Sequence, residues 1–360
     1  MSQQGFHIPS LNGVRAIAVM VVFIGHGYTA PNLWPGHVGV TIFFFLSGFL
    51  IVTLLRRERE QTGSISMGKF YLRRVLRILP PAYIAIAAAV LIGALGWLEA
   101  DTTGWGVLAE VLNYTNYYIV IHGREGLPPE TSQFWSLGVE EHYYLVIPAL
   151  LLFMLGRWDR RRVGLALAAV ALVIPIYRIA LGLAGAGFDR LYVSTDTRID
   201  SLLAGSAMAL LANPALGDPL PGGQRIARAM RWLPGVAAVI FVLSALVQAR
   251  VFRLSIADSI QYACLVPIFW FIITRLDRPM VRVLNQRMVE RIGVLSYSIY
   301  LFHRLALGLI GRFDLPAPLL DLAALVATVA AAQVVHTLVE RPCARLRRRM
   351  ESQVPARRAS

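Results

Sequence analysis

The chain has 360 residues, 56% of them apolar and 16% charged, and its mean hydropathy is +0.58. Soluble domains average ~45–50% apolar and ~25% charged residues, so a disordered chain, a collagen-like fibre and an ordinary cytosolic enzyme are excluded and a membrane bundle is the default class. A net charge of +14 suggests nucleic acid only where a soluble body carries it, and the apolar runs leave none. Cys264 and Cys343 are too few for a disulfide framework, and no metal-ligand spacing surrounds either.

Apolar stretches near membrane-spanning length, ~17–25 residues, recur along the chain. They predict spans near 14–31, 38–55, 80–98, 137–156, 163–183, 199–213, 232–249, 256–274, 293–311 and 318–338. The first is not expected to be a cleavable leader, because no basic region precedes it and Arg15 and His26 lie inside it. Segment 105–121 is also apolar, but Asn113, Tyr114, Asn116, Tyr117 and Tyr118 mark it as an interfacial loop.

The charges orient this map. With the N-terminus in the cytoplasm, 27 of the 35 Lys and Arg fall inside, and six (Arg124, Arg190, Arg198, Arg250, Arg253, Arg312) fall outside. Arg178 and Arg304 lie within spans. That asymmetry follows the positive-inside rule and accounts for the basic charge with no nucleic-acid partner. The expected fold is an all-α polytopic bundle of about ten transmembrane helices with both termini cytoplasmic. One membrane domain, 1–342, precedes a basic cytoplasmic tail, 343–360, read as an anchor on anionic lipid. The absence of an internal repeat disfavours a repeat-built transporter.

Function is then sought in polar residues placed where lipid makes them costly. Arg15 and His26 are eleven residues apart, three helical turns to within about 20°, so they share a face about 16 Å apart along the axis. Arg74 and Arg77 stand at i,i+3 in the segment Phe70 to Pro81. Paired guanidinium forks suit phosphate, although charge alone also reads as an anchor. Ser136, Glu140 and Tyr144 form a polar stripe at i,i+4,i+8. His26, at a comparable depth, is the expected partner of the Glu140 carboxylate. His142 turns about 200° away from Glu140 and reads as interfacial. Thr197-Arg198-Ile199-Asp200 enters the sixth span, and Ser296, Tyr300 and His303 share one face of the ninth. Singly, each of these is equally well explained as hydrogen-bonding glue between helices.

Together the motifs resemble membrane acyltransferase family 3, the bacterial O-acetyltransferases of surface glycans and related acceptors. The resemblance runs from Leu11 to Pro342. It rests on Leu11-Asn12-Gly13-Val14-Arg15-Ala16 followed by His26, Gly39 to Phe49, the Arg-rich 73–77, Trp135-Ser136-Leu137 with Glu140, Thr197 to Asp200, Gly293 with Ser296-Tyr297 through His303, and Glu340-Arg341-Pro342. Thr41 stands where members often carry Asp, and Gln133 where they often carry His, which removes a candidate proton carrier. Arg304 beside His303 is atypical and needs an anion or a carbonyl. With no hydrolase-like domain expected after Pro342, the chain would be the family's short form.

The resemblance implies a multi-pass enzyme of the bacterial cytoplasmic membrane that moves an acetyl group from acetyl-coenzyme A to a hydroxyl of an exported carbohydrate or glycolipid, with no metal. Arg73, Arg74 and Arg77 would hold the donor's phosphates, with Arg15 nearby. His26 would act as general base, or as carrier of the acyl group, and Glu140 would orient its ring. Trp135, Ser136, Arg198, Asp200, Ser296 and Tyr297 would line the cavity or contact the oxyanion. A transporter or proton-coupled channel using His26 and Glu140 as a relay is the alternative from a different class, and a catalytically silent scaffold is a third.

Overall fold

The computed structural model describes residues 8–29, 36–99, 101–220, 222–247 and 249–353. Among them every regular element is helical and no strand forms, as expected where a backbone in lipid must satisfy its own hydrogen bonds. The principal helices are α1 (Leu11–His26), α2 (His37–Thr62), α3 (Met67–Ala94), α4 (Trp135–Arg157), α5 (Arg160–Leu183), α6 (Asp200–Leu211), α7 (Leu233–Leu246), α8 (Ala257–Thr274), α9 (Arg287–Ile310) and α10 (Ala317–Val335). A π-helical turn, His336–Glu340, joins α10 to α11 (Arg341–Gln353).

Seven helices are long and apolar enough to cross a membrane, or eight if Gly223–Ala229 and Leu233–Leu246, bent by 55°, make one span. The chain is therefore an all-α polytopic membrane protein. Each expected span has a helix, but α1 and α6 fall short of the length test, as does α7 unless it is joined to Gly223–Ala229. α1 has 16 residues and stops at His26, before the expected end at 31; residues 30 and 31 lie outside the described segments. α6 has 12 residues, about 18 Å at helical rise, against a ~30 Å hydrocarbon core.

α6 tolerates that because it is enclosed by protein: Asp200 through Leu210 are all buried against α2, α5 and α8. Its approach to α2 needs glycine on both sides. A Cβ on Gly48 would fall into the Leu202 carbonyl, and one on Gly205 into the Phe45 carbonyl. Small residues let membrane helices pack at this separation. Segment 105–121 is not the expected loop but two eight-residue helices, Gly104–Val111 and Thr115–His122. α3 is continuous through Pro80 and Pro81, so its arginines extend the same helix that enters the apolar layer.

Candidate active site

α1 crosses the site from end to end, with Arg15 near one end and His26 at the other. At the Arg15 end lies a cavity of about 380 Å³ lined by Arg15, Arg73, Arg77, Tyr297, Arg341 and Arg347, among others. The π-turn brings Glu340 to its wall, but that carboxylate is engaged. It accepts from Ser298 Oγ at 2.5 Å and meets His336 Nδ1 at 2.6 Å. Five guanidinium groups around one hollow make it a strong anion site. α11 packs on α3, so Arg341 and Arg347 turn to this cavity; for Arg347 the sequence suggested only a lipid-facing tail. Cys343 lines it too.

The three arginines of α3 divide. Arg73 pairs with Glu58 at 3.2 Å and Glu351 at 3.5 Å. Arg74 lies 5.8 Å over Phe70 and 5.6 Å over Tyr144, with its Nε buried and unpartnered. Arg77 lines the broad cavity with Arg73 and a second, narrower one with Arg74. The expected Arg74/Arg77 pair is thus shared between two cavities.

The narrow cavity, about 80 Å³, is lined by Arg15, Arg74, Arg77, Ser47, Ser136, Glu140, Tyr144, Ser296, Tyr297 and Tyr300. The polar stripe of α4 forms one wall. Ser47 Oγ donates to Glu140 Oε1 at 2.9 Å, and Tyr144 OH donates to Oε2 at 3.2 Å. The hydroxyls of Ser136 and Tyr300 are 2.6 Å apart, and Tyr300 OH donates to the Gln133 carbonyl at 2.9 Å. Tyr297 OH donates to the Ile78 carbonyl at 2.8 Å. The buried amide of Gln133 has no hydrogen-bond partner of its own.

His26 does not take up Glu140. Its Nδ1 lies 2.8 Å from the Val22 carbonyl, which can only accept, so Nδ1 carries the proton and Nε2 keeps its lone pair. Its neighbour is His303, edge-on with ring centroids 5.0 Å apart. The same logic applies there: His303 Nδ1 donates to the Tyr300 carbonyl at 2.7 Å, leaving Nε2 buried and unpartnered. The Tyr300 ring lies 5.6 Å from that of His303, so one residue touches both the narrow cavity and the histidine pair. Beyond them Arg304 finds the anion it required in Glu130, at 2.6 Å.

Trp135, Arg198 and Asp200 line neither cavity. They belong to a buried ionic cluster. Arg178 pairs with Asp200 at 2.9 Å and Asp258 at 3.1 Å, and Arg198 also pairs with Asp258. The Arg198 guanidinium lies 5.7 Å from the Trp135 ring. Thr41 Oγ1 donates to Asp258 Oδ1 at 2.9 Å, so a carboxylate reaches position 41 from α8. His142 faces away as expected and meets Thr195 Oγ1 at 2.7 Å.

Sequence reading did not put His303, Glu130 or Asp258 in the site. The shared face of Ser296, Tyr300 and His303 was a signal for the first. Glu130 sits in a loop without periodicity, and Asp258 meets residues 60 or more positions away in sequence.

A family model described as an acyltransferase domain matches residues 8–337. The peptidoglycan O-acetyltransferase OatA of Listeria monocytogenes is 27% identical over 311 residues, covering 82% of this chain and 49% of that protein. The YrhL protein of Bacillus subtilis is 28% identical over 321 residues, 84% of this chain and 49% of its own length. The chain thus spans about half the length of these relatives. No solved structure matches.

Proposed function

The chain belongs to the acyltransferase 3 family, and from that premise we propose that it is a membrane O-acetyltransferase that moves an acetyl group from acetyl-coenzyme A to a hydroxyl of a cell-envelope carbohydrate. The observation that carries this reading is the run of side chains along α1. The arginine-lined cavity shares Arg15, Arg77 and Tyr297 with the narrow one, which ends at Tyr300 beside His303 and His26.

The donor's phosphates would sit among Arg15, Arg73, Arg77, Arg341 and Arg347. Its pantetheine arm would rise past Glu140 and Ser136, along the ~16 Å between Arg15 and His26. At about 80 Å³ the narrow cavity must widen for that arm, and Tyr300, whose ring stands between that cavity and His303, is the side chain that must turn aside. His26 Nε2 takes the proton of the acceptor hydroxyl. The oxygen attacks the thioester carbonyl, the acyl ester forms, and coenzyme A leaves as the thiolate. Nδ1–H, held by the Val22 carbonyl, fixes the tautomer that leaves Nε2 basic. Glu140 acts as a positioning residue along the arm's path, not on the His26 ring. A relay from His26 to Glu140 would need the two within reach of each other, and Glu140 is committed to Ser47 and Tyr144.

The charge asymmetry supports ten crossings with both termini in the cytoplasm and the arginine cavity facing inward, in the bacterial inner membrane. The relatives named above lead to peptidoglycan or a related carbohydrate as acceptor. The test is reconstitution of purified protein in proteoliposomes with labelled acetyl-coenzyme A and candidate glycans. Label transferred to carbohydrate supports the reading; no transfer to any glycan, with coenzyme A unbound, overturns it.

A further inference from the structure

The bent pair of Gly223–Ala229 and α7 turns through 55° at the Arg15 end of the bundle, where α8 also ends, at Thr274. Between them lies a cavity of about 350 Å³ lined by Met230, Arg231, Phe271, Arg275 and Arg278. A hollow of about 240 Å³ shares Met230, Phe271 and Arg275 with it and continues past Leu220, Ala227, Trp270 and Thr274. The shared residues make the two one groove, with a guanidinium end and a mostly apolar end.

Arginines at this end of a membrane protein orient the chain by charge alone, but these three are also gathered. They come from two segments distant in sequence and converge on one hollow, and no acid lines either part of it. Among the described residues the guanidinium groups of Arg231 and Arg275 meet no carboxylate. Arg278 reaches its neighbour Asp277 at 3.9 Å, with both side chains more than half exposed. The single acid of the 214–231 connection, Asp218, is held by Arg56 and Arg160. The depth of the groove favours lipid over water as the source of an anion. Trp232, at the bend, is 58% exposed, and Val236, Val239 and Leu243 are exposed along α7. Tryptophan marks the headgroup level, and the exposed aliphatic face beyond it marks hydrocarbon. Guanidinium forks match phosphate oxygens bidentately, and basic pockets between helices at a membrane face take lipid headgroups.

We propose that this groove binds one anionic phospholipid, with its phosphodiester held by Arg231, Arg275 and Arg278 and the head of one acyl chain laid along Met230, Phe271 and Trp270. The bound lipid would fasten the bent segment to the end of α8. The inference needs only the membrane class of the chain and is independent of the acyltransfer reading.

The test is native mass spectrometry of the full chain in detergent, titrated with phosphatidylglycerol, with phosphatidylcholine of the same acyl chains, and with glycerol 1-phosphate. Phosphatidylglycerol should bind about tenfold or more tighter than phosphatidylcholine, the scale of a charge-assisted contact, and glycerol 1-phosphate should not displace it. The preference should collapse to near unity in Arg231→Gln/Arg275→Gln. It should survive in Arg161→Gln/Arg162→Gln, which removes the same charge at the start of α5. As a second measurement on a variant that keeps every arginine, phosphatidylglycerol brominated near the heads of its acyl chains should quench the tryptophan fluorescence, and Trp270→Phe should remove part of that quenching. Equal binding of the two lipids, an equal loss of preference in both double variants, or quenching unchanged by Trp270→Phe overturns the site. Displacement of the lipid by glycerol 1-phosphate at matched concentration overturns the lipid assignment, because the apolar end would then contribute nothing.

Discussion

At the scale of single residues, the two ends of α1 carry separable duties. His26→Ala should lower turnover by ~10²–10⁴, the usual share of a positioned general base, and leave coenzyme A affinity unchanged. Arg77→Gln should do the reverse. It weakens donor binding by ~1.5–3 kcal/mol, as for a lost charge-assisted bond, and turnover recovers at saturating donor. Arg73→Gln should cost less, because Arg73 is already divided between Glu58 and Glu351. Calorimetric coenzyme A titration beside an acetyl-transfer assay separates these outcomes; a fully active His26→Ala would remove the base from the mechanism. The pair His26 and His303 also shows why a residue list is not a site. Both rings spend Nδ1 on a backbone carbonyl, and only their packing brings the two rings edge to face.

At the scale of elements, buried charge holds the bundle together at two levels. Near the His26 end, Arg178, Arg198, Asp200 and Asp258 are each at most 4% exposed at the side chain and balance two against two. Asp258→Asn leaves guanidinium charge uncompensated in a dry interior, a change that costs about 3–5 kcal/mol. It should lower the melting temperature in detergent more than Asp321→Asn at the surface of α10; an equal or smaller shift would show the cluster to be dispensable. Near the Arg15 end, Asp218 ties α2 to α5. It accepts from Arg56 at 2.6 and 2.7 Å and from Arg160 at 2.6 Å. Burial works to raise its pKa, but the bonds from Arg56, the Asn213 backbone and Arg160 outweigh that and hold it well below the usual carboxylate range. A depressed folded-state pKa adds stability that is present above the unfolded value of about 4 and lost as pH falls below it. Acid unfolding should therefore begin at higher pH for a protein lacking this knot. In Asp218→Asn the stability difference from wild type should shrink as the pH drops below about 4, and a difference independent of pH would rule out the linkage.

At the scale of the whole molecule, the proposed reaction needs the arginine-lined donor cavity and the His26 end of α1 to open on opposite sides of one bilayer. In a cysteine-free background, Glu125→Cys should react with an impermeant maleimide on intact cells and Arg278→Cys should not. Equal labelling would remove the ten-span arrangement and the donor path with it.

How much of this was legible follows from what each signal depends on. The all-α membrane class, the helix positions, the Arg15–His26 face and the α4 stripe depend on local periodicity, because a helix in lipid must satisfy its own backbone and its side chains repeat every 3.6 residues. The sequence alone determined those. The tertiary structure decided the rest. It buries the twelve-residue α6, breaks segment 105–121 into two helices, and makes Arg347 of the tail part of a cavity wall. It gives His26 a histidine in place of Glu140, supplies Glu130 to Arg304, and brings Asp258 to Thr41. Each of these joins side chains from different helices, and the choice of partner is set by how whole helices pack and by which charges the dry interior forces together, which no spacing within one helix encodes.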